Sequence, residues 1–273
     1  MRQTSERASA VLTQKGKHMG NSREILETIE EMLLEKDVSL DKLTHLQWIE
    51  ERRNGRVFSK EEHLRALIYA QLSNNRRWEQ VEERLDEIDE IFFDYDWDRL
   101  MEAHPDELAD RILSIQCGNR AIRKQMGALH ENIMKLERIE KEFGSLDCFV
   151  TSGTPLEIAD LLANSIKYKL RMLGLPLAME YLRNVGINTI KPDVHVCRIL
   201  GRDRLRYSEH EIAGEEEAAE IVQKIALETG YDESRIDAIL WLFCSDNNGM
   251  ICTKEPHCEQ CKLCGGLCHY VKE

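Results

Sequence analysis

Five of the nine cysteines fall between Cys252 and Cys268, in the run CTKEPHCEQCKLCGGLC. Thiolates are soft ligands, and a loop that gathers four of them suits either a [4Fe–4S] cluster or tetrahedral zinc. A C-x2-C step is common to both, so spacing alone does not choose the metal. The other reading, five unligated thiols on an exposed loop, leaves a dense surface that oxidises readily. A secreted disulfide protein would spread its cysteines along the chain. The clustering therefore points to a metal site in a reducing compartment.

A second group lies at 168–201, in YKLRMLGLPLAMEYLRNVGINTIKPDVHVCRILG. Asp193 follows Pro192 and precedes a helical pattern, the position of an N-cap. An N-cap fixes a carboxylate in space, so capping and chemistry are compatible roles for it. Between Asp160 and Arg204 there are eight Lys/Arg and four Asp/Glu, a local positive excess in an acidic chain.

Helices are expected to position these groups, since strand signals are nearly absent. Apolar residues recur at helical spacing in Ser22–Glu35, with Ser22 as the expected N-cap. Ser59 and Glu62 form a capping-box pattern before EEHLRALIYAQL. One amphipathic helix is expected over Trp78–Phe93, a short one after His104-Pro105, and one long helix over Asn119–Glu142 despite Gly127. Further starts fall at Gly144-Ser145, Thr154-Pro155, Leu175 and Pro192-Asp193, then helices near Glu215–Thr229 and Glu233–Phe243. The last thirty residues read as a loop organised by cysteines.

The chain carries 37 basic and 50 acidic residues, a net charge of −13, and is 42% hydrophobic over 273 residues. That length holds one large domain or two lobes. Nothing is apolar for long enough to span a membrane, and residues 1–21 read as a disordered polar tail with Met19 as a second possible start. Net acidity weighs against nucleic-acid binding, because phosphate neutralisation supplies much of that affinity.

Against this, the motifs resemble the helix-hairpin-helix DNA glycosylase superfamily over roughly 58–268. Cys252, Cys258, Cys261 and Cys268 give C-x5-C-x2-C-x6-C, similar to the C-x6-C-x2-C-x5-C loop of endonuclease III and adenine glycosylase. The resemblance implies a structural [4Fe–4S] cluster on those four thiols, with Cys264 as an alternative fourth ligand and zinc as an alternative metal. The family hairpin reads Leu-Pro-Gly-Val-Gly-x-x-x-Ala. Here Gly174 and Ala178 match its second glycine and alanine, while Met172 replaces its first glycine. Asp193, His195, Val196 and Arg198 match the segment that follows. The family role implied for Asp193 is catalytic: stabilising positive charge on the deoxyribose or orienting water. His195 is expected as a structural partner.

Bifunctional members carry a hairpin lysine that forms a Schiff base. The matching residue here is Pro176, so the resemblance implies a monofunctional enzyme using water. Lys169, Leu173, Gly174, Leu175 and Arg198 are implied as DNA contacts, and Lys167 and Lys191 as phosphate contacts or solvated. The central helices also resemble 3-methyladenine DNA glycosylase I, which places Trp78 in a base pocket with Tyr69, Gln71, Ser73 and Asn74. Its base-reading glutamate would fall on Ala70, so its specificity does not transfer. Trp78 and Tyr69 read equally as core, and Asn119, Arg120, Arg123 and Lys124 equally as phosphate contacts or a solvated helix start.

The expected fold is all-α and two-lobed, the helix-hairpin-helix glycosylase architecture with a C-terminal cluster loop: 58–190 as the hairpin lobe, 22–57 plus 191–273 as the other. The expected function is base-excision repair on double-stranded DNA by a cytoplasmic, nucleoid-associated monomer that cleaves the N-glycosidic bond of a damaged or mispaired base. Two rival readings are a glycosylase fold that binds DNA without catalysis and a zinc-tailed helical interaction module.

Overall fold

The computed structural model describes residues 21–74 and 78–271. The expectation of a disordered tail falls almost wholly outside the described residues. Among the described residues the protein is helical, with no strand and an isolated bridge between Cys264 and Cys268. No helix is long and apolar enough to cross a membrane. The chain divides into two compact units, Met1–Leu46 with Thr189–Glu273, and Gln47–Asn188.

The first unit contains α1 (Ser22–Glu35), α13 (Val194–Leu200), α14 (Glu215–Thr229) and α15 (Glu233–Cys244). Helix α15 packs against α1, α13 and α14. Its buried face, with Ile236, Ile239, Leu240 and Phe243, forms the middle of that core. Ser22 is not the cap of α1. Asn21 occupies that position, and the buried Ser22 hydroxyl instead donates to Glu228 at 2.8 Å and accepts from Tyr207 at 2.9 Å.

The second unit starts within α2 (Thr44–Arg53), so residues 47–57 lie here and not with the C-terminal helices. Arg52 explains the placement. It forms a bidentate pair with Asp147, at 3.0 and 2.6 Å, and donates to the Val185 carbonyl at 2.8 Å. The remaining helices are α3 (Lys60–Leu72), α4 (Trp78–Glu82), α5 (Leu85–Ile91), α6 (Trp97–Glu102), α7 (Pro105–Ser114), α8 (Ile122–Gly127), α9 (Leu129–Phe143), α10 (Leu146–Val150), α11 (Pro155–Asn164) and α12 (Leu175–Asn184). Helix α12 packs on both α3 and α11.

Several starts follow from local chemistry. Ser59 and Thr154 close capping boxes with Glu62 and Glu157. Gly144, at φ 83, ends α9 in the left-handed conformation, and Ser145 then caps α10. Two long helices expected from periodicity are broken. Trp78–Phe93 divides into α4 and α5, then a turn in which Phe93, Asp94 and Tyr95 have φ of 54, 51 and 62. Asn119–Glu142 divides into α8 and α9 at Gly127-Ala128, where no side chain at Gly127 favours helix. Asn119 precedes α8 and accepts from the Ala121 N–H in a local turn.

Candidate functional site

Asp193 is the N-cap of α13, with φ −84 and ψ 179. Its Oδ1 accepts from the N–H groups of His195 at 2.8 Å and Val196 at 3.2 Å. Its Oδ2 takes no hydrogen bond from the described residues, and the side chain is half-buried. The turn before it is pinned: Asp237, buried on α15, accepts from the Lys191 N–H at 3.1 Å, and Asp193 N–H bonds the Lys191 carbonyl at 2.7 Å. One oxygen is thus spent on structure and one is left for a ligand. Along the same helix, Arg198 Nη2 reaches His195 Nδ1 at 3.2 Å and the Cys252 carbonyl at 3.4 Å. Helix α13 therefore joins the carboxylate to the start of the cysteine loop, and His195 contacts Arg198 along it.

The cysteine loop has little regular structure beyond the 3-10 turn Cys258–Gln260. Leu263, 1% exposed, anchors it, and its carbonyl accepts from the N–H groups of Gly266, Leu267 and Cys268. The buried Cys244 at the end of α15 hydrogen-bonds Cys252, which holds the Cys252 thiol below the usual range; Arg204 and Arg198 push the same way. Burial raises the thiols of Cys258, Cys261 and Cys268, the second to about 11, and each also feels Cys252. Cys258 has Cys264 as a hydrogen-bonding neighbour.

Among the described residues no three His, Cys, Asp or Glu side chains converge as a ready cage for an ion. The donors in the loop are soft thiols, the type that metal centres use. Five thiols share one loop, and two guanidinium groups beside Cys252, those of Arg198 and Arg204, have an Nε with no hydrogen-bond partner. Both Cys244 and Arg204 escaped the sequence reading. Cys244 ends an apolar helix and Arg204 sits in the charged run RDRLR, so neither stands out by type or spacing.

The hairpin turn between α11 and α12 is built differently. Asn132 of α9 accepts from the Arg171 N–H at 2.7 Å and donates to its carbonyl at 3.0 Å. Gln71 adds a longer bond to that carbonyl at 3.4 Å. Met172 then takes φ 59, the left-handed conformation for which the family pattern supplies glycine. Gly174 is extended, at φ −86 and ψ 175, and caps α12 without a side chain. The first N–H groups of α12 are therefore uncapped by side chains, a site where an anion is favoured. Lys169 is exposed at the turn, but Leu173 and Leu175 are buried at 3% and 7% exposure. Any phosphate contact at those two positions has to come from backbone. Pro176 lies in the first turn of α12, where no amine is available.

Among the described residues, those expected in a base pocket are mostly buried. Tyr69 is 4% exposed, and its hydroxyl donates to Asp89 at 2.6 Å, an acceptor shared with Tyr95. Its ring and its hydroxyl are both used inside the unit, in keeping with the core alternative weighed for it. Gln71 is fully buried. Its backbone carbonyl accepts from Asn119 at 2.8 Å and Gln125 at 3.0 Å, so the Asn119 amide has a structural partner inside the unit. Ser73 is buried and bonds the Ala70 carbonyl, while Asn74 is half-buried. The Trp78 side chain lies outside the described residues. Arg123 pairs with Asp110 at 2.6 Å on the surface, where Arg120 and Lys124 are exposed. Each unit also carries an open groove away from these residues. One, of about 360 Å³, is lined by Lys60, Trp97 and Arg99; the other, of about 850 Å³, by Asp203, His257 and Tyr270.

No protein-family model matches the chain. No curated protein matches it either. Solved structures do. The 8-oxoguanine glycosylase/lyase of Methanocaldococcus jannaschii, crystallised with a 15-mer DNA containing 8-oxoguanine, aligns at TM-score 0.52 and 21% identity over 80% of this chain and 96% of that one. The 8-oxoguanine DNA glycosylase of Thermotoga maritima aligns at TM-score 0.56 and 21% identity, covering 81% and 96%. The helical fold of this chain is accordingly similar to that of these two proteins.

Proposed function

We propose that this protein is a monofunctional DNA glycosylase that hydrolyses the N-glycosidic bond of a damaged or mispaired base in double-stranded DNA. The observation that carries the reading is Asp193: a half-buried carboxylate with one oxygen fixed by two backbone N–H groups and the other unbonded, on a chain with a glycosylase fold. The unbonded oxygen can stabilise positive charge that develops on the sugar, and can orient or deprotonate the attacking water. With proline at position 176 the hairpin supplies no amine, so water is the nucleophile and strand cleavage by a hairpin Schiff base is absent. The uncapped start of α12 and the exposed Lys169 are where phosphate would be met. Cys252, Cys258, Cys261 and Cys268 would hold a [4Fe–4S] cluster, or zinc, that fixes the loop as a structural element.

Because both structural relatives are named for 8-oxoguanine, that lesion is the first to test, within a panel of modified and mismatched duplexes. Single-turnover release should yield alkali-labile sites without direct strand breaks. Asp193→Asn keeps an N-cap residue and removes the charge, so stability should hold within a few tenths of a kcal/mol while base release falls about 100-fold or more. Asp193→Ala should cost about 1 kcal/mol of stability as well. Equal release by wild type and Asp193→Asn would leave the second reading, a glycosylase fold that binds DNA without cutting the base away. Met172 at the hairpin and the net charge of −13 favour that reading.

A further inference from the structure

Helix α11 ends at Asn164, and the chain turns through residues 165–169 before it enters the hairpin. This turn is tied down on both sides of its second residue. Ser165 Oγ accepts from the N–H groups of Lys167 at 3.1 Å and Tyr168 at 3.2 Å, and the Ser165 carbonyl accepts from the Lys169 N–H at 3.0 Å. The Lys167 carbonyl accepts from Lys135 Nζ of α9 at 3.0 Å, and the Lys167 ammonium pairs with Glu142. The Tyr168 hydroxyl donates to Glu142 at 2.8 Å, and its ring lies against Phe143 and Phe149. Inside this frame stands Ile166, whose surface is 102% exposed; no other large apolar residue among the described ones is as exposed.

A single exposed apolar side chain is ordinary on a protein surface. Rigidity and charge set this one apart. Branching at Cβ leaves its χ1 stiff, and the backbone around it is held, so little freedom remains to be lost when it is buried by a partner. The stretch 161–179 carries Lys167, Lys169 and Arg171 and no carboxylate. Lys169 is exposed and pairs with no carboxylate among the described residues. The uncapped start of α12 follows a few residues later. A partner that is anionic outside and apolar within suits this arrangement, and duplex DNA is such a partner: phosphates would meet the lysine and the helix start, and a parted base step offers an apolar slot. We propose that Ile166 is a positioning wedge, its side chain entering the duplex at the gap that an extruded nucleotide leaves and keeping that step open. The proposal rests on reading the hairpin as the DNA-facing turn of a glycosylase.

The test binds the full chain to two duplexes, one undamaged and one with an abasic-site analogue flanked by 2-aminopurine, whose fluorescence rises when stacking is lost. Wild type should raise that signal. Ile166→Ala alters an exposed residue and should fold. It should bind the undamaged duplex within about 2-fold of wild type, because phosphate contacts dominate there. It should lose most of the signal and bind the abasic duplex about 10-fold more weakly, the scale of one buried isoleucine side chain. Ile166→Leu should restore both. Lys169→Ala should do the opposite: weaken both duplexes alike and lower the salt slope by about one, with the signal kept at saturation. An unchanged signal in Ile166→Ala overturns the proposal and leaves the glycosylase reading standing. Ile166-dependent binding to phosphatidylserine vesicles, with no effect of the substitution on DNA, does the same. A wedge signal without release of any base supports the proposal and overturns the catalytic reading. Wild type that binds neither duplex overturns both.

Discussion

The hairpin turn and the longer cysteine loop are both irregular connections, and they are held by different means. In the hairpin, protein groups meet the backbone's demands. Asn132 brackets Arg171 on both sides, Ser165 accepts from the N–H groups of Lys167 and Tyr168, and Leu170 and Leu173 are buried beneath. In the cysteine loop, buried Leu263 gathers a few backbone bonds, and what remains is thiols and guanidinium groups with unmet donors. A turn bracketed in this way can hold Met172 in the left-handed conformation. The cysteine loop has fewer such side-chain brackets and rests on Leu263 and its backbone bonds.

That contrast can be broken by removing the hairpin's supports and asking whether metal matters. The largest effect should come from Asp147→Asn. Burial alone would raise the Asp147 carboxyl, but His63 and Arg52 outweigh it and hold the group well below the usual carboxylate range. His63 in turn contacts the Tyr181 hydroxyl of α12 at 2.6 Å, so the pair braces the hairpin's second helix. Uncoupling this buried ion pair should cost about 3 kcal/mol in urea denaturation at neutral pH. The sign of the pH dependence follows from the depressed folded-state value. The contribution is fully present above the unfolded carboxylate's titration and is lost as pH falls toward the folded one, so the variant and wild type should converge in acid. Chelation should leave the difference unchanged; a metal-dependent difference would erase the contrast.

Asn132→Ala should cost about 1–2 kcal/mol, because it leaves the N–H and carbonyl of Arg171 without their bracket. Hydrogen exchange at Arg171 should accelerate in the same variant, and an unchanged rate would mean the turn is held by its apolar residues alone. The smallest effect belongs to Met172→Gly. Relieving a left-handed methionine should return about 1 kcal/mol or less, since glycine also loses more entropy on folding. A destabilised variant would show that the Met172 side chain contributes packing that outweighs its backbone strain.

Much of this was readable in the chain. Ser59 with Glu62, Thr154 with Glu157, and Asp193 with the two N–H groups that follow it are contacts within three residues, so spacing alone predicts them. The helix breaks at Gly127 and before Phe93 were harder, because periodicity continues across both and only packing chooses where the helix stops.

By itself, the sequence determined an all-helical chain, a capped Asp193 and a cysteine-rich loop, since each depends on residues near one another. The tertiary structure decided the burial of Tyr69 against Asp89, the use of the Gln71 carbonyl by Asn119 and Gln125, the Arg52–Asp147 pair that moves residues 47–57 into the hairpin unit, and the seating of Arg204 on the Tyr270 ring. Those partners lie from twenty to about a hundred residues apart. A polar or charged side chain carries no local mark of whether its partner will be water, a carboxylate or a sulfur, and only the folded chain assigns it.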